Sequence, residues 1–274
     1  MSDKVRIDVA MVSRGLAESR EKAQALIMSG VVYIKEQKVS KPSEKVTPED
    51  EIIVRDTKPY PYVSRGGLKL EKALDVFGIN VQGVTALDIG AATGGFTDVL
   101  LQNGAKHVIA VDVGYGQLDL KIREDARVTV MERTNARYLT TEMIGGFAPD
   151  ITVMDVSFIS VRLILPAAAV LMQKKGIFCI LIKPQFEAGR ENVGKHGVVR
   201  DPLVHASVIR DIRDFAAQMD YCMTKLDYSP IKGPAGNIEY VALLEPQRAG
   251  QSGMADDAIE RVVSDSRDRL SCIE

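Results

Sequence analysis

The segment of this sequence best equipped for chemistry is Asp88-Ile89-Gly90-Ala91-Ala92-Thr93-Gly94-Gly95-Phe96, a glycine-rich turn between an apolar run and a helical pattern. Glycine has no Cβ, so the backbone there can approach a bound molecule closely. A dinucleotide fingerprint needs G-x-G-x-x-G, with a helix start against a pyrophosphate. Here the spacing is Gly90-x-x-x-Gly94, and the carboxylate of Asp88 precedes it inside the apolar run. A carboxylate repels a pyrophosphate but attracts the ammonium and sulfonium of S-adenosylmethionine. Asp112 follows Gly94 by 18 residues, at the end of the next apolar run, where it can bind a ribose diol. Asn135, just beyond the third run, can hydrogen-bond an adenine edge or simply cap a turn. This set predicts an S-adenosylmethionine site.

Four more residues are informative by position. Lys69 lies in Ser64-Arg65-Gly66-Gly67-Leu68-Lys69, before the first strand pattern. Asp155 ends the fourth strand pattern, Lys183 ends the fifth, and Glu239 starts the last. Singly, each is ordinarily a salt-bridge partner. Side chains at strand ends can, however, converge on a ligand at a sheet's edge.

The elements that must position these residues alternate. Strands are expected at Val84–Ile89, His107–Val111, Val128–Met131, Ile151–Val156 and Ile177–Ile182, and near Cys222–Tyr228 and Ile238–Leu244. Phe96, Val99 and Leu100 share one face of a helix, and a long helix is expected at Leu203–Met219. Such alternation predicts an α/β fold, a Rossmann-like, mostly parallel seven-stranded sheet covered on both faces. Residues 63–246 would form this domain, preceded by a small α+β domain at 1–55 and a linker at 56–62, which holds Pro59 and Pro61. The last segment, 247–274, is expected to be a tail with a loose start and a polar helix over Met254–Leu270.

Within the small domain, a helix is expected over about Arg6–Ser13, and Ser19 can cap a second over Glu21–Ser29. Short strands are expected at Val31–Ile34 and Glu51–Val54, the second after the turn-like Thr47-Pro48-Glu49-Asp50. The pattern Arg6-Ile-Asp, Arg14-Gly-Leu, Ser19-Arg20, Ala23, Ile27 and Gly30-Val-Val-Tyr-Ile, followed by Lys38-Val and Lys41-Pro, resembles the S-four-type (alpha-L) RNA-binding domain. In that domain two short helices present a basic face. The resemblance implies RNA contacts from Arg6, Arg14, Arg20 and Lys22, and beyond the linker from Ser64 and Arg65. Residues 1–48 carry nine Lys/Arg against six Asp/Glu, a net of +3, so the bias toward nucleic acid is mild.

Beside the cofactor signature, Lys69, Asp155, Lys183 and Glu239 resemble the Lys-Asp-Lys-Glu tetrad of FtsJ-type ribose 2′-O-methyltransferases. From about residue 4 to 245 the chain resembles the TlyA (haemolysin A) family, through Ser64-Arg-Gly-Gly, the Asp88 loop, Asp155-Val-Ser-Phe, Lys183-Pro-Gln-Phe-Glu and Gly197-Val-Val-Arg200-Asp. That family implies ribosomal RNA or ribosomal subunits as partner and a cytidine ribose as target. A ribose hydroxyl is a poor nucleophile at neutral pH, so a positioned base must take its proton. A lysine serves only when burial or a neighbouring cation favours its neutral form. Lys69 would be that neighbour and Lys183 the base, with Asp155 orienting Lys183 and Glu239 orienting Lys69 or the ribose.

Composition closes off other classes. The net charge of −2 and 46% apolar residues are ordinary for a globular protein. The start, MSDKVRIDVA, shows no apolar signal core, and the longest uncharged piece of the apolar 151–182 region, Leu163–Gln173, is too short to span a bilayer. A cytoplasmic protein without membrane or metal partners is expected, since Cys179, Cys222 and Cys272 are scattered, as are His107, His196 and His205. Monomer and homodimer both stay open. The rival readings are a base methyltransferase, which would use an Asn/Asp-Pro-Pro-aromatic motif where this chain has Asp155-Val-Ser-Phe158, and a membrane-lytic protein, as the haemolysin name suggests.

Overall fold

A computed structural model describes residues 4–28, 30–34, 37–39, 41–54, 60–233 and 235–271. Of the expected linker, residues 56–59 lie outside the described residues. The chain divides into two compact units between Pro61 and Tyr62.

The first unit contains β1 (Val5–Arg6), α1 (Ile7–Ser13), α2 (Arg20–Met28), β2 (Val32–Ile34), β3 (Gln37–Lys38), β4 (Lys45–Val46) and β5 (Ile52–Val54). Both expected helices and both expected strands form. The additional β1, β3 and β4 have two residues each, too few for an alternating pattern to register. Ser19 Oγ accepts the backbone N–H of Lys22 at 3.2 Å, the expected cap of α2. Ile7 and Met11 of α1 pack on Ala23 and Ile27 of α2, over Val32 and Val46 of the strands.

The second unit runs α3 (Gly67–Phe77), β6 (Thr85–Ile89), α4 (Gly95–Gln102), β7 (His107–Val111), α5 (Leu120–Arg123), β8 (Val128–Met131), β9 (Ile151–Met154), α6 (Leu165–Leu171), β10 (Ile177–Ile182), α7 (Pro184–Glu187), α8 (Pro202–Gln218), β11 (Tyr221–Tyr228), β12 (Tyr240–Pro246) and α9 (Asp256–Ser271). Its seven strands lie in the order β11-β12-β10-β9-β6-β7-β8. β12 runs antiparallel to both β10 and β11, and the other pairings are parallel. The seven-stranded, mostly parallel sheet expected from the alternation is therefore present.

The order of these strands determines where a site can form. From β6 the chain moves outward to β7 and β8, then returns to lay β9 against the other side of β6. Strand order reverses there, which opens a crevice beyond the carboxyl ends of β6 and β9. Asp88 and Gly90 lie at one of those ends and Asp155 at the other.

Three local outcomes differ from expectation. Lys69 sits on α3, whose Leu70, Ala73, Leu74 and Phe77 bury one face at helical spacing. β9 stops at Met154 and β12 begins at Tyr240, so Asp155 and Glu239 lie just outside their strands. The C-terminal segment, expected to be a polar tail, buries Ile259 and Val263 in the main core. Among the described residues, no helix is long and apolar enough to cross a membrane.

Candidate active site

The glycine turn after β6 packs against the end of β9. Gly90 has φ +87°, and a Cβ there would lie 2.6 Å from the carbonyl oxygen of Asp155. No larger residue fits without moving backbone. Asp112 braces the same turn, its Oδ2 accepting Ala92 N–H at 2.8 Å and its Oδ1 accepting Gly114 N–H at 2.7 Å. Between them is a cavity of about 430 Å³, lined among others by Val111, Asp112, Asn135, Val156 and Ile164. Asn135 caps a turn, one of the two readings of its sequence. Its Oδ1 accepts Arg137 N–H at 3.1 Å and caps the short 3-10 helix Ala136–Tyr138, and it also lines the cavity.

Asp88 is placed differently from a direct cofactor ligand. It is completely buried, accepts the Thr97 hydroxyl at 2.6 Å, and is not among the residues lining the cavities at this crevice. Burial pushes its carboxyl up to about 7, the Thr97 hydrogen bond opposes the shift, and the charges of Asp155 and Asp112 add to it. Asp88 ties β6 to α4 underneath the turn.

Beside this cavity, four charged residues from distant parts of the chain converge. Lys69 Nζ donates to Glu239 Oε2 at 2.6 Å and to Asp155 Oδ2 at 3.4 Å. Lys183 Nζ lies 2.5 Å from Asp155 Oδ1 and donates to Ser157 Oγ at 2.9 Å. Gln185 Nε2 donates to Glu239 Oε1 at 3.2 Å, and Gly233 leaves room there, since a Cβ would stand 2.6 Å from that oxygen. Side-chain exposure is 9% for Lys69, 8% for Lys183, 18% for Asp155 and 1% for Glu239. Burial alone would lower the pKa of Lys69, but Asp155 and Glu239 outweigh it, and the net shift is upward. Lys69 is therefore a fixed cation.

A second cavity, of about 630 Å³, holds all four residues in its wall with Ser64, Arg65, Phe158 and Phe186. It shares Gly90, Ala92, Asp155, Ser157 and Phe158 with the first, so the two spaces are contiguous along the crevice. Phe158 is 91% exposed with φ +63°, and its ring lies 5.0 Å from that of Phe186, tilted by 49°. An aromatic ring held in the left-handed region at a cavity mouth is costly for folding and suits contact with a flat ligand.

Residues 62–245 match the FtsJ-like methyltransferase family, and residues 5–52 match the S4 domain. The chain belongs to the FtsJ-like methyltransferase family. Among its relatives is the 16S/23S rRNA (cytidine-2′-O)-methyltransferase TlyA of Mycobacterium tuberculosis, 43% identical over 97% of this chain and 99% of that protein. YqxC of Bacillus subtilis, whose name is that of a candidate rRNA methyltransferase, is 50% identical over 98% of this chain and 96% of its own length. A solved structure from Streptococcus thermophilus that carries a hemolysin designation is 43% identical, covers 99% of this chain and 98% of its own, and superposes with a TM-score of 0.78. The resemblance to the TlyA (haemolysin A) family thus extends over nearly the whole chain.

For this methyltransferase, the residues expected to touch RNA have other partners as well. In the first unit, the fully buried Asp8 receives two hydrogen bonds from Arg6 at 3.0 Å and one each from Arg20 and Gln24 at 2.9 Å. Arg6 and Arg20 keep 41% and 51% of their side chains exposed. Arg14 spends its guanidinium on the carbonyls of Asp50 at 2.6 Å and Thr47 at 2.9 Å, and so fastens the turn before β5. Lys22 pairs with Glu18 one helical turn away. Ser64 and Arg65 belong to the second unit and line the larger cavity. The polar residues that sequence reasoning passed over are Ser157 and Gln185. Each is two positions beyond a charged residue that was singled out, and neither type signals a role by itself.

Proposed function

We propose that this chain transfers a methyl group from S-adenosylmethionine to the 2′-hydroxyl of a cytidine ribose in ribosomal RNA. The observation that carries the proposal is the buried Lys69–Asp155–Lys183–Glu239 cluster, continuous with the cavity behind the glycine turn. The smaller cavity suits the adenosine end of the cofactor: Gly90 borders it and lets the turn close on Asp155, Gly94 lets the turn pack on Leu118 and Ile122, Asp112 can receive the ribose diol, and Asn135 can meet the adenine edge. When bound, the cofactor supplies a methyl group already activated as a sulfonium.

The protein's own residues do the rest. The ribose enters the larger cavity, between the lysines and the rings of Phe158 and Phe186. Lys183, on one carboxylate and one hydroxyl, is the base that accepts the 2′-hydroxyl proton at Nζ. Lys69, on two carboxylates, stays charged and holds Asp155 and Glu239 in place. Much of the rate then comes from keeping hydroxyl and methyl in line. Arg6 and Arg20 of the S4 unit meet phosphates, and Ser64 and Arg65 guide the strand at the cavity. The TlyA relative's cytidine-2′-O activity supports the choice of target. Asp155-Val-Ser-Phe158 in place of a Pro-Pro clamp disfavours a base amine.

The test is incubation with labelled S-adenosylmethionine and separated ribosomal subunits, followed by mapping of the modified nucleotide. Label on a cytidine ribose is expected, and label on a base would overturn the reading. Calorimetry on Asp112→Ala tests the cofactor site, where weakening by about 1–3 kcal/mol is expected from the ribose hydroxyls left without an acceptor. Unchanged affinity removes Asp112 from it.

A further inference from the structure

The two lysines of the cluster are not equivalent, and the difference lies in one uncharged side chain. Lys69 rests on two carboxylates, whereas Lys183 rests on Asp155 Oδ1 at 2.5 Å and on Ser157 Oγ at 2.9 Å. We propose that Ser157 is a positioning residue for the reaction: it fixes the direction of the Lys183 lone pair without holding that lysine in its charged form. The inference rests on the reading of Lys183 as the base.

The argument is one of valence. A neutral amine has two N–H bonds and one lone pair, arranged about a tetrahedral nitrogen. Asp155 Oδ1 holds the nitrogen by charge, from outside hydrogen-bond geometry, while Ser157 Oγ accepts one N–H bond and so sets the direction left to the lone pair. When the 2′-hydroxyl proton moves to that lone pair, the new ammonium keeps its hydrogen bond to Ser157 and its ion pair with Asp155, and gains the third N–H from the substrate. The charge of Asp155 alone would leave the amine free to rotate, with its lone pair pointing away from substrate much of the time. A second carboxylate would steer equally well, but its charge would favour the protonated amine, as at Lys69. A hydroxyl steers and leaves the proton balance almost untouched.

Local geometry holds Ser157 to this task. The segment after β9 packs its Asp155 carbonyl where only Gly90 fits, and three residues later Phe158 turns through φ +63°. Asp155, Ser157 and Phe158 consequently all line the larger cavity. The charged groups around Lys183 are Asp155 following β9, Lys69 on α3 and Glu239 before β12, with Asp88 on β6 beneath the glycine turn. Ser157 adds a neutral hydrogen-bond acceptor on Lys183 itself.

The experiment measures single-turnover methyl transfer by the full chain across a range of pH, with S-adenosylmethionine and RNA saturating. Ser157→Ala is expected to slow the chemical step about tenfold, the worth of one hydrogen bond to the reacting amine. Ser157→Thr, which keeps the hydroxyl, should recover most of that loss. Ser157→Asp should keep the steering but displace the rising limb of the pH–rate profile to higher pH, which a merely structural role would not do. Lys183→Ala is run beside them. If it is inactive while the Ser157 variants react like the parent at every pH, the positioning role is overturned and the base survives. If Lys183→Ala reacts normally, both fall.

Discussion

Both units of this protein fold positive side chains around a buried carboxylate, and they do so with opposite results. In the S4 unit, Asp8 is wholly buried, while the Arg6 and Arg20 that bind it remain roughly half exposed. In the methyltransferase unit, Lys69 and Lys183 are themselves buried with Asp155 and Glu239. An outward guanidinium braced from beneath can still meet a phosphate, and salt weakens that contact. An inward amine is shielded from water and from counterions, so its neighbours decide its protonation. The first arrangement suits binding a polyanion, and the second suits moving a proton.

Substitution of the inward amines should produce the largest effects. Lys183→Arg keeps a cation but removes a dissociable proton, so methyl transfer should fall by about 10²–10⁴-fold while cofactor and RNA still bind. Near-normal turnover by a folded Lys183→Arg protein would make Lys183 an ordinary ion-pair partner. Lys69→Met should act on stability. It leaves Glu239 and Asp155 without their shared cation, and breaking a buried pair in this way costs about 3–5 kcal/mol in denaturant unfolding. A loss under 1 kcal/mol would show that water or rearrangement replaces Lys69 easily.

In the S4 unit, Asp8→Asn should weaken folding toward the lower end of about 1.5–3 kcal/mol, the range for a hydrogen bond to a charged group, because both arginines are partly solvated. The pH dependence of the two units should have opposite sign. The hydrogen bond from Arg6 holds the Asp8 carboxyl well below the usual carboxylate range, against the opposing penalty of burial, with Gln24 and Arg20 assisting. A depressed carboxyl stabilises fully above its unfolded value of about 3.9, and the contribution is lost as pH falls below that toward the folded value. Lys69 is shifted upward, so its contribution is complete below about 10.4 and lost only as pH rises further. Hydrogen exchange resolved by segment should find acid opening residues 5–54 first and alkali loosening the tetrad region. Uniform loss at both extremes would erase the distinction.

The smallest effect is expected at Arg20. Arg20→Gln should lower the slope of log affinity against log salt by about 0.7–0.9, the value for one phosphate contact. An unchanged slope would confine Arg20 to bracing Asp8. Arg14 is the poorer probe, because its guanidinium fastens the Thr47–Asp50 turn and its removal mixes stability with binding.

How legible the molecule was depended on the range of each interaction. The strand before Gly90, the helix after it and the paired helices of the S4 unit each express a period within one short stretch of sequence. Lys69 was noticed, but its helix was not, because Gly66-Gly67 ahead of it reads as a break while Leu70, Ala73, Leu74 and Phe77 continue the periodicity. Asp88 was read as a cofactor ligand from its place in the motif, and its burial against Thr97 appears only when α4 packs on β6. The C-terminal helix looked polar because few of its residues face inward, and those few reach the core.

The sequence by itself determined the kinds of groups present, the local periods that make strands and helices, and a glycine turn that only a closely approaching ligand or backbone explains. Tertiary structure decided which nitrogen meets which oxygen. Lys69 and Glu239 are 170 positions apart, and Lys183 and Ser157 are 26 apart. Those meetings follow from the order β11-β12-β10-β9-β6-β7-β8, which is set by covering both faces of one sheet with right-handed crossovers. No local pattern encodes that order, because the free energy that selects it comes from burying the whole core at once.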